Sequence, residues 1–392
     1  KILLHKIFRG YLNLYQISLM IKLRNSNMKL DKNKVLVAMS GGVDSSVALT
    51  KLHEQGYTVI GITLKLWESI DPITKKKKNS NCNSVEAING AKMVCDRLGV
   101  HHYTLNHIDS FRKNVVDNFT KQYLEGRTPN PCVRCNSHVK WGNLIEQANK
   151  FGAYYIATGH YAQIDKTDTN INMKKGIDDN KDQSYMLWHI NRDFLDRTLL
   201  PIGGLTKKQV REYAEINKLE TSNLPDSQDL CFVMDGDYRN FLNEYMPNRM
   251  EKISSGDIHD EDDLVVGSHT GFTNYTIGQR KGLGLSFPEP RYVKKINPIT
   301  NSITISKKES LYSTQCLVEN INWLIDKPRI PFTAYAKIRY NSTGASASIE
   351  KNNDGYLITF NEPQLAITPG QSIVFYDEEI LIGGGIIEEY NE

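Results

Sequence analysis

Three stretches of this 392-residue chain bring together residue types able to do covalent chemistry. The first is Ser40-Gly41-Gly42-Val43-Asp44-Ser45-Ser46. A glycine-rich turn between a buried strand and a helix aims unpaired backbone N–H groups, and the positive end of the helix, at one point. The hydroxyls of Ser40, Ser45 and Ser46 add donors suited to pyrophosphate oxygens. No Lys occupies the Walker position, so the string is not the usual P-loop. Asp44 is an awkward neighbour for phosphate unless it holds Mg2+ or caps the loop.

The second and third stretches carry thiols. They are Thr128-Pro129-Asn130-Pro131-Cys132-Val133-Arg134-Cys135-Asn136 and Asp226-Ser227-Gln228-Asp229-Leu230-Cys231-Phe232-Val233. Two prolines bracket Asn130, which makes the segment before Cys132 a stiff, non-helical loop. Arg134 and Lys140 follow closely and favour a thiolate. A bare C-x-x-C also fits a structural zinc half-site, a redox pair or chance spacing. The zinc reading wants a second pair of ligands, and Cys231, distant in sequence, is the remaining candidate partner. Six cysteines in all, with Cys82, Cys95 and Cys316 standing singly, are too sparse for a disulfide scaffold and fit a reducing compartment.

Alternating strands and helices position these stretches. Val35–Met39, Tyr57–Leu64, His101–Leu105 and Tyr154–Thr158 are short apolar runs that read as buried strands. Between them Asp44–Glu54, Val85–Leu98 and a segment from about 110 to 124 read as helices. That order predicts an α/β domain with a parallel sheet, and ligands at the carboxyl ends of its strands. Lys75–Lys78 and Thr167–Asn180 read as solvated loops. From about 235 glycine-punctuated polar segments take over. Beyond 290 six short strands, Ser302–Ile305, Phe332–Tyr340, Ala345–Ile349, Tyr356–Phe360, Ser372–Tyr376 and Glu379–Ile382, predict a small β-barrel or sandwich.

Charge narrows the function classes. The chain carries 48 Lys and Arg against 45 Asp and Glu, but residues 1–30 hold six basic residues and no acid. The rest is therefore 42 basic against 45 acidic, a net of −3, and not a generic polyanion binder. Any grip on nucleic acid must come from patches such as Arg127, Arg134, Lys140, Lys181, Arg280, Lys281 and Arg339. No apolar run approaches the length of a membrane span. Residues 1–30 fit either an organelle-targeting peptide or an extension upstream of Met20 or Met28. Only two Arg and two Ser favour the second, hence a bacterial cytosol over a mitochondrial or plastid matrix.

The first string resembles the pyrophosphate loop of the PP-loop ATP pyrophosphatases, which split ATP to adenylate a carbonyl oxygen. With the cysteine strings, and with Thr158-Gly159-His160-Tyr161, Lys181-Asp182-Gln183-Ser184-Tyr185, Thr276–Gly284, Arg339-Tyr340 and Thr368-Pro369-Gly370-Gln371, the chain from about 33 to 390 resembles the tRNA-specific 2-thiouridylase family. The resemblance implies a PP-loop catalytic domain over 31–232, a central domain over 233–292 and a C-terminal β-barrel over 293–392, after an N-terminal extension over 1–30. It implies thiolation at C2 of the wobble uridine of tRNA, with ATP and Mg2+, by a monomer fed by a cysteine desulfurase or sulfur-relay protein.

Carried across residue by residue, Ala38, Met39, Ser40, Gly41, Gly42, Val43, Asp44 and Ser45 would hold ATP, joined by Leu64 and Gly159. Asn130, Pro131 and Cys132 would face the flipped-out base. Cys231 would carry a persulfide with Cys135 as partner thiol in a transient disulfide, and His160, Lys181, Asp182, Gln183, Arg339, Tyr340 and Gln371 would touch tRNA. Many members of the family carry Asp where this chain has Cys132. That departure opens an alternative in which Cys132, Cys135 and Cys231 hold a [4Fe–4S] cluster that delivers sulfide. Two rivals remain: an amidating PP-loop ligase, which gives the cysteines no role, and an RNA-binding module with a vestigial nucleotide loop.

Overall fold

The computed structural model describes residues 29–70, 77–78, 85–225, 230–253, 255–353 and 355–390. The extension over 1–28, Cys82, Lys75, Lys76 and Asp226–Asp229 of the third string lie outside the described residues.

Five parallel strands form the first sheet, in the order His102–Asn106, Thr58–Lys65, Asp31–Ala38, Ala153–Ala157, Thr198–Leu199. Val35, Leu36 and Val37 are fully buried because helices cover both faces, which is why the first strand reads as a continuous apolar run. In chain order the sheet runs third, second, first, fourth, fifth. Its direction of growth reverses between Asp31–Ala38 and Ala153–Ala157, the switch point beyond whose strand ends doubly wound sheets form a ligand crevice. The phosphate-type loop leaves one of them and Thr158-Gly159-His160 leaves the other.

The middle of the chain forms a separate four-stranded sheet, in the order Val265–His269, Gly256–His259, Ser302–Ser306, Tyr292–Asn297, over a small core of Ile258, Phe272, Val293, Ile303 and Ile305. Ser302–Ser306, read from sequence as a barrel strand, belongs here instead. Its parallel register with Gly256–His259 (Ile258↔Ile303) buries both isoleucines in that core. The sequence reading placed the barrel over 293–392; Tyr292–Asn297 and Ser302–Ser306, within or next to its start, pair in the four-stranded sheet.

Six antiparallel strands close the C-terminal barrel: Tyr312–Trp323, Gly355–Leu365, Ala345–Asn352, Phe332–Lys337, Ser372–Asp377 and Ile380–Tyr390. Tyr312–Trp323 pairs with both Gly355–Leu365 and Ile380–Tyr390, which removes the open edges. A hairpin of the catalytic domain, Ala162–Lys166 with Ile171–Lys175, extends this sheet through Ile380↔Lys174 and Leu381↔Met173. Part of the segment 167–180 expected as a loop is thus a strand: Met173 is fully buried, while Asn172 and Lys174 lie on the opposite face and are only partly covered. The same core cluster holds Trp141, Tyr185 and Trp188 of the catalytic domain beside Val374, Tyr376 and Leu381 of the barrel. Among the described residues no helix is long and apolar enough to cross a membrane.

Candidate active site

The phosphate-type loop is built by backbone geometry that only glycine permits. Gly41 has φ +83°, and a Cβ there would lie 2.1 Å from the carbonyl oxygen of Ala87 at the start of the helix Val85–Arg97. Gly42 is the N-cap of the helix Val43–Glu54 and offers no side-chain cap, so the first N–H groups of that helix are left for a ligand. Ser45 and Ser46 donate to the Gly42 carbonyl (3.1 and 3.0 Å), and Ser45 Oγ also accepts from the Ser40 amide (3.2 Å), which fixes the turn. Met39 continues the strand pairing through its amide to Ile62 (2.7 Å), and its carbonyl accepts from Thr63 Oγ1 (2.9 Å). Ala38, Val43 and Leu64 line the same strand ends, Val43 and Leu64 buried and Ala38 half-buried. Across the crevice Gly159 packs so closely that a Cβ would lie 2.7 Å from Asp44 C and Ser45 N.

Asp44 projects from the first turn of that helix and is fully engaged. Tyr161 donates its hydroxyl to Asp44 Oδ1 (2.7 Å), and Lys207 Nζ reaches both carboxylate oxygens (2.8 and 2.9 Å). Nothing in the sequence signalled Lys207: a Lys-Lys pair on a helix reads as a solvated face, and the partner lies 163 residues away.

The two cysteine stretches border the largest core cluster. Asn130 caps the short helix Pro131–Cys135, its Oδ1 accepting from Val133 N (3.3 Å), so Pro131 sits in the first turn and the helical run continues through Asn136–Trp141 to Lys150. Cys132 is exposed and Cys135 is buried. Cys231, of intermediate exposure, directly precedes Phe232, which is 2 % exposed and locked among Trp67, Phe111, Phe119 and Phe241 at centroid distances of 4.9–6.2 Å. That aromatic anchor sets where the chain re-emerges with its thiol. Among the described residues no three His, Cys, Asp or Glu side chains converge on a point able to hold a metal ion.

The loop before Cys132 is fastened to the barrel. Thr128 N donates to Pro369 O (2.9 Å) and Gln371 Nε2 donates to Thr128 O (2.8 Å). Arg127 pairs with Glu388 (2.6 Å) and donates to Ile387 O (3.1 Å). Gly370, at φ +89°, lets the turn approach: a Cβ would lie 3.0 Å from Thr128 N and O.

The remaining residues singled out in the sequence have structural duties of their own. Asp182 accepts from Gly176 N, Ser184 N and Ser184 Oγ, and Gln183 Oε1 accepts from Tyr161 N, so this turn holds the Gly159–Tyr161 segment in place. Lys181 borders the same turn, its amide donating to Asp178 O. Arg339 donates to the carbonyls of Leu365 and Ala366, and Tyr340 packs edge-on against Tyr185. His160 accepts or donates at Thr158 Oγ1 (2.8 Å) beside Trp141, and burial with Lys140 nearby pushes its pKa well below the ordinary range. A neutral His160 cannot neutralise a phosphate. Arg127 and Arg134 are likewise turned inward, Arg134 to Asn114 O, whereas Arg280 and Lys281 stand exposed in their glycine-rich turn.

Family models match nearly the whole described chain: one described as a tRNA methyl transferase HUP domain over 33–235, a tRNA methyl transferase PRC-barrel domain over 239–307 and an aminomethyltransferase beta-barrel domain over 313–387. The chain is similar to a tRNA-specific 2-thiouridylase MnmA of Carboxydothermus hydrogenoformans, at 45% identity over 92% of this chain and 99% of that protein. A MnmA of Clostridium botulinum is 44% identical, again over 92% and 99%. A solved U34-tRNA thiolase NcsA from Methanococcus maripaludis overlaps 60% of this chain and 75% of its own at 16% identity and a TM-score of 0.33, too loosely to bear on the site.

Proposed function

The chain belongs to the tRNA-specific 2-thiouridylase MnmA family, and from that premise we propose how its side chains carry out the reaction. The protein is an ATP-using tRNA sulfurtransferase. ATP lies along the crevice at the sheet's reversal point, its phosphates on the Ser40–Ser45 loop and its nucleoside toward Leu64 and Gly159. The target uridine enters beside Asn130, Pro131 and Cys132. Its C2 oxygen attacks the α-phosphorus, the P–O bond to pyrophosphate breaks with its electron pair, and an O-adenylated base results. Cys231 carries the sulfur as a persulfide whose outer sulfur attacks C2; AMP leaves with its oxygen, and a Cys135–Cys231 disulfide releases the product.

A single observation supports this reading best: the glycine-built loop leaves the uncapped helix start at the same crevice that Gly159 lines from the neighbouring strand. The cluster alternative finds no such support: among the described residues no three donors converge on a point. Mg2+ enters with ATP as the substrate complex, since the Asp44 oxygens are already engaged by Lys207 and Tyr161. The tRNA, the sulfur donor and monomeric action complete the proposal. The test incubates the protein with ATP, a sulfur donor and tRNA, and reads thiolated wobble uridine with AMP and pyrophosphate in step. A product lacking sulfur at C2, or thiolation without AMP, would refute it.

The fastening of the loop to the barrel carries a prediction of its own. Arg127→Met removes the ion pair to Glu388 and the bond to Ile387 O while leaving every residue of the crevice untouched. The loop then samples positions away from the base, and a shift of about 1 Å at a reacting group costs on the order of 100-fold in rate. Thiolation kcat should fall by roughly 10-fold or more with KM for ATP unchanged. An unchanged kcat with full protein stability would show that the loop holds its shape unaided.

A further inference from the structure

Every product that leaves by a Cys135–Cys231 disulfide leaves the protein oxidised by two electrons, and that bond must be reduced before the next round. It forms in a poor place for this. Cys135 is 6 % exposed within the apolar cluster. Cys231 is partly covered and tied to Phe232, which is packed among four aromatic rings. Thiol–disulfide exchange needs a thiolate brought into line with the S–S bond, and its rate depends on access to the sulfur attacked. A protein reductant carries its own backbone to the target and is shut out from a buried sulfur. Among the other described cysteines, Cys95 and Cys316 are fully buried in separate clusters, whereas Cys132 is exposed.

Cys132 also stands within reach of the buried pair. It lies three residues before Cys135 in the helix Pro131–Cys135. Residues so spaced carry Cβ atoms about 5–6 Å apart, and a disulfide needs roughly 3.5–4.5 Å, so this turn must tighten by about 1 Å. Its hydrogen bonds permit that. The first i to i−4 bond, Arg134 N to Asn130 O, is stretched to 3.5 Å, and Pro131 has no N–H to give up. Asn130 holds the helix start by another bond, its Oδ1 accepting from Val133 N (3.3 Å). A tightened turn with i to i−3 bonds eclipses residues i and i+3, which sets one sulfur over the other. Both thiol-bearing segments rest on the same helical run. Arg134 donates to Asn114 O, and Phe232 packs on Phe111 and Phe119.

We infer that Cys132 is the relay thiol of this enzyme, the residue that carries the disulfide from the buried pair to the surface; this role rests on the persulfide reading above. Once the thiolated base has left, the Cys132 thiolate attacks Cys135 Sγ. The Cys132–Cys135 bond forms as the Cys135–Cys231 bond breaks. Cys231 leaves with the electron pair, takes up the proton that Cys132 gave up, and is free to accept the next sulfur. The disulfide now ends on an exposed sulfur. A dithiol protein reductant attacks Cys132 Sγ, and Cys135 departs as the leaving thiolate. The second thiol of the reductant then displaces Cys132 from the mixed disulfide. The reductant ends as its own disulfide, having supplied two electrons, and its two protons pass to Cys132 and Cys135.

The test follows the electrons separately from the product. Wild type, Cys132→Ser and Cys132→Ala are loaded with persulfide, freed of donor and taken through one turnover with ATP and tRNA in the absence of reductant. Disulfide is counted against thiouridine formed, so that any effect of the variants on the base is divided out. Thioredoxin is then added, and the recovery of thiols is timed. Recovery in both variants should be slower than in wild type by about 10-fold or more, whereas a small phosphine should bring all three within about 2-fold. Thioredoxin lacking its resolving cysteine should be caught on the wild type as a mixed disulfide, which peptide mapping places on Cys132. Equal recovery with thioredoxin in the three proteins, or capture on Cys135, Cys231 or Cys82, overturns the relay and leaves the persulfide reading standing. Thiouridine formed without any disulfide refutes that reading and the relay with it.

Discussion

Cys231→Ser is expected to lower thiolation by about 1,000-fold or more while leaving ATP binding, tRNA binding and Tm unchanged. A serine oxygen is close to the thiol in size but cannot accept a sulfane sulfur. The fold around it does not depend on the thiol, because Phe232 supplies the anchor and Cys231 is only partly covered. Pyrophosphate release should persist for a single turnover, since adenylation precedes sulfur attack, whereas AMP, which leaves only when sulfur attacks C2, should not form. The neighbouring cysteines give an internal control. Cys135 is 6 % exposed within the apolar cluster, so Cys135→Ser buries a hydroxyl at a cost of about 1–3 kcal/mol and should lower Tm as well as activity. Cys132→Ser, at an exposed position, should leave Tm alone. Quantified thiouridine from the three variants, with thermal melts alongside, checks this. Wild-type rates from Cys231→Ser would remove the persulfide from that residue, and loss in Cys132→Ser with activity kept in Cys135→Ser would move the partner thiol to Cys132.

Gly41→Ala should be equally severe at the other end of the reaction. Two independent penalties act there. The backbone at φ +83° costs a side-chain-bearing residue about 1–2 kcal/mol. The new Cβ would also meet the Ala87 carbonyl at 2.1 Å, and a backbone oxygen cannot rotate away. The loop or the helix Val85–Arg97 must shift, and the N–H groups lose their common focus. ATP affinity is expected to fall by about 100-fold or more, and AMP formation with it. Gly56→Ala separates the two penalties, because Gly56 has φ +87° and nothing within 4 Å of a Cβ. That variant should lose stability only, by about 1 kcal/mol, with ATP affinity retained. Similar ATP affinities for the two variants would show that the contact with Ala87 does not shape the loop.

Much of this was legible in the sequence, for reasons that also mark the limit. The parallel strands announced themselves because burial on both faces demands unbroken apolar runs, as in Val35–Val37. The phosphate-type loop was legible because its glycines and hydroxyls are contiguous. Tyr312–Trp323, the strand that closes the barrel, was not. Register shifts in its pairing with both neighbours break the period-two alternation, and Glu319, Asn320 and Asn322 read as turn residues. The strand Ile171–Lys175 hid because a single fully buried residue, Met173, stands among asparagine and lysines that are only partly covered. Lys207 on Asp44, and Arg127 on Glu388 across 261 residues, are contacts made only when distant segments fold together. Each of these residues read alone is an ordinary surface charge, so spacing carries no trace of the pair.

The bonds between Thr128, Arg127 and the barrel also bear on how the protein can be divided. A barrel that grips the loop by its backbone is one structural unit with the segment that precedes Cys132. Any free energy that tRNA gains by seating on the barrel in the arrangement that keeps those bonds is shared with the loop. By reciprocity, capture of the base at the loop must tighten the hold of the barrel on the rest of the tRNA by the same factor. With the base and barrel contacts of the proposed function, a tRNA able to satisfy one contact but not the other would forfeit affinity at both.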